Sequence, residues 1–334
     1  MNMSAHTGAY KIAKEYLERF PDHDTQTIAR ILITQEPETF RTKEQARTAV
    51  RYLRGNHGAN NRKTVKDKAF LRPNGQAGQL PRFPASIAPA DHSTVELQYQ
   101  NIGIVSDIHV PYHNSAAILA ALNWLKGAGV DCLLLNGDIL DCCKISTFGA
   151  DPRRPGLIDE IRICSEFLAA LREMFPAIPI IYREGNHEER IERYLMLKAP
   201  ELFGAVDVSL NTLLGLPKLG IEHIRHQRIL KAGKLNILHG HERRAGLTAP
   251  VNAARGIWLF ANENCLVGHH HKTSEHAERN LSGDQFGTWS TGCLCDNQEY
   301  DWFAKWNHGF ARVETSGAGA FRVYNHRILN GEVY

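Results

Sequence analysis

Five short apolar runs, each halted by an aspartate, asparagine or histidine, are the strongest feature of the hydrophobic pattern. They are IGIVSDIH from Ile102 to His109, LLLNGD from Leu133 to Asp138, IIYREGNHE from Ile180 to Glu188, LNILHGH from Leu235 to His241 and CLVGHHH from Cys265 to His271. Aliphatic runs of this length read as buried strands. In α/β proteins the ligand-holding residues collect just past the carboxyl ends of such strands. The pattern therefore predicts five strands converging on one pole. A glycine stands directly before Asp138, Asn186 and His269.

Between these runs the periodicity becomes helical. Ala117, Leu119, Leu122 and Leu125 predict a helix over 114–126, followed by a strand over 130–135. A long amphipathic stretch over 157–175 precedes another strand over 178–182, which completes a βαβαβ order. Further on, 288–294, 310–314 and 320–323 read as short strands between Gly-rich turns, so the second half is expected to add antiparallel strands.

The first hundred residues follow another pattern. Ile12, Ala13, Tyr16, Leu17 and Phe20 recur at helical spacing over 9–20, with Pro21 as the stop. Asp24 or Thr25 can cap a second helix carrying Ile28, Ile31 and Leu32. Thr42 and Gln45 have capping-box spacing for a third, which runs to Arg54 before Gly55. The predicted layout is a three-helix, helix-turn-helix-like module over 1–56, an extended basic, Pro- and Gly-rich linker over 57–98, and an α/β domain over 99–334.

Composition narrows the class. A chain of 334 residues, 43% hydrophobic and 22% charged, has the makeup of a soluble globular protein. No apolar run approaches the roughly 18 residues that span a bilayer, and the polar N-terminus lacks a secretory core. A cytoplasmic protein with no membrane partner is expected. Seven irregularly placed cysteines fit reduced thiols, and neither Cys142-Cys143 nor Cys293-Leu-Cys295 has zinc-site spacing. The net charge of +3 is unevenly spread, since residues 41–73 hold ten Lys and Arg against two acids. On the third predicted helix Ala46, Val50 and Leu53 would face inward, while Arg47, Arg51 and Arg54 recur at i, i+4 and i+7. Such a stripe can track the phosphates of DNA or RNA. A solvated face, or one docked on an acidic patch, is the plainer reading of the same charges.

The polar residues at the strand ends supply carboxylate, amide and imidazole donors and no thiolate, a set that suits hard or borderline divalent cations. Asp138 has two oxygens and can bridge two ions. A bridged pair of cations is the usual device for phosphoester hydrolysis.

Taken in order, Asp107-x-His109, Gly137-Asp138, Gly185-Asn186-His187-Glu188, His239-Gly and Gly268-His269-x-His271 resemble the five signature blocks of the calcineurin-like metallophosphoesterase superfamily. The resemblance covers roughly residues 100–275. It implies a two-sheet β-sandwich flanked by helices, behind the small helical module. It also implies two divalent cations, manganese first, with iron, zinc, nickel or magnesium as alternatives. By position, Asp107, His109, Asp138 and His271 would hold one ion, and Asp138, Asn186, His239 and His269 the other. His187 would be the acid that protonates the leaving oxygen, with a hydroxide between the ions as nucleophile, and Glu188 would orient His187.

Other residues are candidates of a second rank. His241 would support the ligands from behind, and His113 would touch substrate from the loop after His109. Protein phosphatases of this superfamily carry GDxVDRG, whereas Cys142 stands here at the arginine position, which argues against a phosphoprotein substrate. Arg190, or Arg243 and Arg244, would then recognise phosphate. Trp302 and Trp306 are candidates for stacking on bases. The layout also resembles, loosely, phosphoesterases of bacteriophages and bacterial mobile elements. The expected activity is a metal-dependent phosphodiesterase acting on nucleic acid or nucleotide-type esters. The alternatives are a small-molecule phosphomonoesterase with an assembly-only module, and a DNA-binding or scaffold protein on this fold.

Overall fold

The computed structural model describes residues 3–65, 68–72, 94–147, 149, 151–225, 228–242, 251–296 and 305–334. The chain divides into two compact units, Met1–Ala88 and Pro89–Tyr334.

In the first unit the helices Met3–Arg19, Thr25–Gln35 and Lys43–Leu53 bury Ala13, Leu17, Ile28, Leu32, Phe40 and Val50 against one another. Asp24 caps the second helix by accepting the N–H groups of Gln26 and Thr27, and Thr42 with Gln45 forms the capping box of the third. The first helix starts earlier than its apolar spacing predicts, because its opening turns carry no periodic apolar residue. Arg54 requires a correction. It is buried, with its guanidinium donating to Thr25 Oγ1 at 2.8 Å and to the His23 carbonyl. Its place in the stripe is lost because it caps the helix C-terminus and turns inward.

The stretch expected as a linker is structured at both described ends. Ala59–Thr64 is a short helix, Arg62 donates to the Arg72 carbonyl at 2.7 Å, and Phe70 packs on the helical core. At the other end a strand, β1, Val95–Glu96, already belongs to the second unit.

The remaining strands are β2 Asn101–Val105, β3 Cys132–Asn136, β4 Ile180–Arg183, β5 Ile221–Ile224, β6 Leu230–Ala232, β7 Leu235–Ile237, β8 Cys265–Val267, β9 Ser274–Arg279, β10 Gln285–Ser290, β11 His308–Thr315, β12 Phe321–Leu329 and β13 Glu332–Val333. They form two sheets, ordered β13-β12-β11-β2-β3-β4-β5 and β1-β6-β7-β8-β10-β9. β2 to β5 run parallel, and β11 to β13 extend the same sheet antiparallel. The five strands that end in polar residues are thus shared between two sheets, three in one and two in the other.

Alternation along each strand explains the layering. Ile102, Ile104, Cys132 and Leu134 enter a core with Leu235, Ile237 and Leu266 of the other sheet. Val105, Leu133 and Leu135 point the opposite way, to a core shared with the helices Ser115–Gly127 and Leu157–Met174. Strands buried on both faces read as continuous apolar runs, which is why these were conspicuous. β9 was not anticipated, since its mostly exposed SEHAER sequence carries no apolar signal. Among the described residues no helix is long and apolar enough to cross a membrane.

Candidate metal centre

β2, β3 and β4 of the larger sheet and β7 and β8 of the smaller one end close together, and the residues just beyond them form one buried polar cluster. Asp138 is its centre. Its Oδ2 lies 3.1 Å from His239 Nε2, 3.8 Å from His187 Nε2 and 3.9 Å from His109 Nε2. On the other side Asp107 Oδ1 is 3.3 Å from His271 Nε2, and the Nε2 atoms of His109 and His271 are 3.1 Å apart. Two groups with ligand atoms within 4.8 Å of one another, His109–Asp138–His187 and Asp138–His239–His269, share Asp138.

The local backbone explains how so many ligands fit. Asp107, His109, Asp138, His269 and His271 all have φ between 51° and 63°. For non-glycine residues this costs on the order of 1–3 kcal/mol each and persists only where the surroundings over-determine it. Two glycines allow the tips to meet. A Cβ on Gly185 would fall 2.5 Å from the Asp138 backbone nitrogen and closer still to its carboxylate, and one on Gly268 would strike Ser106 Oγ and Asp107 Oδ2.

The donors are aimed before any ion arrives. The His239 Nδ1–H donates to the Asn136 carbonyl at 2.8 Å, which leaves Nε2 facing Asp138. Asp141 receives His109 Nδ1 at 3.0 Å. Both carboxylate oxygens of Asp107 accept the His269 N–H, at 3.0 and 2.9 Å. Asn186 Oδ1 is buried without a hydrogen-bond partner, as a ligand atom is when an ion is meant to satisfy it, and His239 Nε2 faces the Asp138 carboxylate. The donor set therefore fits two divalent cations.

Electrostatics agree. Burial opposes charge on Asp138 and Asp107, yet the facing imidazoles, His187 and His239 for the former and His271 for the latter, hold both carboxyls well below the usual range. Burial likewise disfavours a proton on His239 and His271, but Asp138 raises the first to about 10 and Asp107 the second to about 9. His269 moves the other way, to about 3, through burial and then the neighbouring His239.

The expected supporting roles are placed differently. Glu188 does not orient His187. Its carboxylate accepts the backbone N–H groups of Asp138, Ile139, Leu140 and Gly185 and the Tyr182 hydroxyl, so it clamps one strand end to the next. His187 is held by Asp141 instead, with Nδ1 donating to its carbonyl at 2.7 Å. Arg190 donates to His187 Nε2 at 2.8 Å and to the Asp141 carbonyl at 2.9 Å. His241 meets Glu189 at 2.6 Å, its ring beside those of His239 and His269. His113 packs on Phe167 rather than joining the histidine cluster. Trp306 sets its edge against His271, while Arg243, Arg244 and Trp302 lie outside the described residues.

Two carboxylates were missed. Besides Asp141 there is Glu242, which accepts the His239 and Gly240 N–H groups and pairs with buried Arg183. Asp141 was visible three residues beyond Asp138, but nothing in its residue type marked it as a support. Cys295, whose pair with Cys293 lacks zinc-site spacing, has its sulfur with the ring nitrogens of His109 and His271 in a 4.8 Å group.

Comparison with known proteins supports the same region. The sequence profile for calcineurin-like phosphoesterases matches residues 100–303. Among curated proteins none matches. Among solved structures, Vps29 of Chaetomium thermophilum is similar at 13% identity over 70% of this chain and 95% of that one, with a TM-score of 0.36, a likeness too distant to bear on activity.

Proposed function

The chain belongs to the calcineurin-like phosphoesterase family, whose match spans more than half of its length, and from that premise we propose that it is a phosphodiesterase acting on nucleic acid or nucleotide-type esters. Family membership supports metal-dependent phosphoester hydrolysis. The observation that carries the reading is the shared position of Asp138 between two groups of metal-capable side chains, His109–Asp138–His187 and Asp138–His239–His269, on a backbone held in the left-handed region at five candidate ligands. Asp107, His109, Asp138 and His271 would hold one cation, and Asp138, Asn186, His239 and His269 the other. The mixed oxygen and nitrogen donors suit manganese, with iron, zinc, nickel or magnesium as alternatives. When bound, the two cations supply Lewis acidity and an acidified water.

The remaining work falls to His187 and Arg190. Because His187 Nδ1 donates to the Asp141 carbonyl, its Nε2 accepts from Arg190 in the substrate-free protein. An entering phosphate offers Arg190 a better, charge-assisted acceptor. Release of that bond frees Nε2 to take up a proton from water, which His187 then delivers to the leaving oxygen, while the Nδ1–H donated to the Asp141 carbonyl keeps the ring in place. The family's protein phosphatases use an arginine where Cys142 is buried here, so Arg190, just past the end of the neighbouring strand β4, takes phosphate recognition.

The amino-terminal unit is assigned to nucleic-acid contact. Arg47 and Arg51 line a recess of about 570 Å³ beside Gln26 and Asn56, and Arg54 has no part in it. The direct experiment is a panel of a phosphomonoester, a chromogenic diester and single- and double-stranded DNA and RNA, assayed with added Mn²⁺, Mg²⁺, Zn²⁺ or Ni²⁺. Diester cleavage that chelation abolishes supports the reading. Cleavage of the monoester alone contradicts it.

A further inference from the structure

A cleft of about 600 Å³ opens beside Asn186 and Arg190. Its lining brings together Lys144, on the turn that follows the Asp138 strand end, with Arg193, Tyr194 and Lys198 of the helix Glu189–Lys198. Among the described residues no carboxylate lines it. Arg190 is engaged by His187 and Asp141, and Arg193 reaches back to Glu189 at 3.3 Å. The two lysines are exposed, and Tyr194 is 42% exposed.

This charge exceeds what the reaction needs. The reacting phosphate of a diester carries a single negative charge, which two bound divalent cations and Arg190 would suffice to meet. A second group of cations, gathered in one concavity without acids, raises the local concentration of anions and is at its best when one sits there. Tyr194 adds a flat ring, the kind of surface on which a nucleobase stacks. We propose that the cleft is a subsite for one alcohol arm of the substrate, an arm that carries a further phosphate beside a planar base. The substrate class is then a nucleotide unit phosphorylated beyond the scissile bond, as in an oligonucleotide, in preference to an isolated diester.

The proposal rests on the phosphodiesterase reading, and its test separates the two. The full-length, metal-loaded protein is assayed on thymidine 5′-(p-nitrophenyl phosphate) and on its 3′-phosphorylated counterpart. The wild type should favour the phosphorylated substrate by about tenfold or more in kcat/KM, mainly through KM, as expected for one or two charge-assisted contacts. The double variant Lys144→Ala/Lys198→Ala should lose that preference and hydrolyse the plain diester within about threefold of wild type, since both side chains lie at the surface outside the ligand set. A wild type without preference, or a variant that keeps it, overturns the subsite. If neither diester is cleaved, the reading of the activity fails, and the subsite is still decided by calorimetry with thymidine 3′,5′-bisphosphate and inorganic phosphate. Tighter binding of the bisphosphate, lost in the double variant, supports it. Equal binding of the two ligands overturns it.

Discussion

At the residue scale the account makes His187 a proton donor that must first give up Arg190. His187→Ala should keep its metals and lose about 10²–10⁴ in turnover on an alkoxide-leaving diester, but less than about tenfold on a nitrophenyl ester, whose anion leaves without a proton. Equal losses on both esters would remove the acid role. A second carboxylate gives a pH signature. Burial first, and then the charge of Asp141, raise buried Glu160 to about 7, although the Cys142 and Cys143 N–H groups pull it down. A raised carboxyl makes the folded state bind the proton more tightly than the unfolded chain. Its contribution to stability is therefore present below the unfolded value near 4.5 and is lost as pH rises towards 7. Glu160→Gln should flatten that fall in a urea series from pH 4.5 to 7 and gain about 1–3 kcal/mol at pH 8; an unchanged slope would contradict the shift. The candidate ligands that the structure brings together were legible in the sequence because a histidine or aspartate ending an apolar run has little structural reason to be there. Asp141 and Glu242 were not, and Glu188 was legible only with the wrong partner, since the sequence does not show which ring nitrogen or backbone N–H a carboxylate will face. Arg54 misled because helical spacing shows which residues share a face and not which way a terminal side chain turns.

At the element scale the site is a meeting of strand ends. The parallel strands were readable as doubly buried runs, whereas β9, polar and at a sheet edge, offered no pattern, and the partition of five tips between two sheets is fixed only by pairing. The tips approach so closely that Gly185 has no room for a methyl group against Asp138. Gly185→Ala should therefore cost roughly 1–3 kcal/mol through overpacking and displace Asp138 enough to lower metal content. Thermal denaturation with elemental analysis checks this, and a variant matching wild type in both would show that the contact yields freely.

At the scale of the whole molecule the proposed function gives the two units different tasks. Every candidate ligand lies beyond residue 106, and the sequence reading starts the second unit at residue 99 because β1 is too short to announce itself. A truncation ending at Ala88 spares Val95–Glu96, which pairs with β6. It should hydrolyse a small chromogenic diester within about threefold of wild type. Affinity for nucleic acid should fall, and the log–log salt slope should become shallower by roughly 0.7–0.9 for each phosphate contact removed. Unchanged affinity and slope would assign the basic module to assembly instead.

The central claim is that one carboxylate joins two metal positions in a hydrolytic centre. Elemental analysis of wild type and Asp138→Ala, each equilibrated with Mn²⁺ and desalted, tests it most directly. The account predicts about two ions per chain in wild type, well under one in the variant, and loss of turnover with the ions. A variant that holds two ions as tightly as wild type would contradict it.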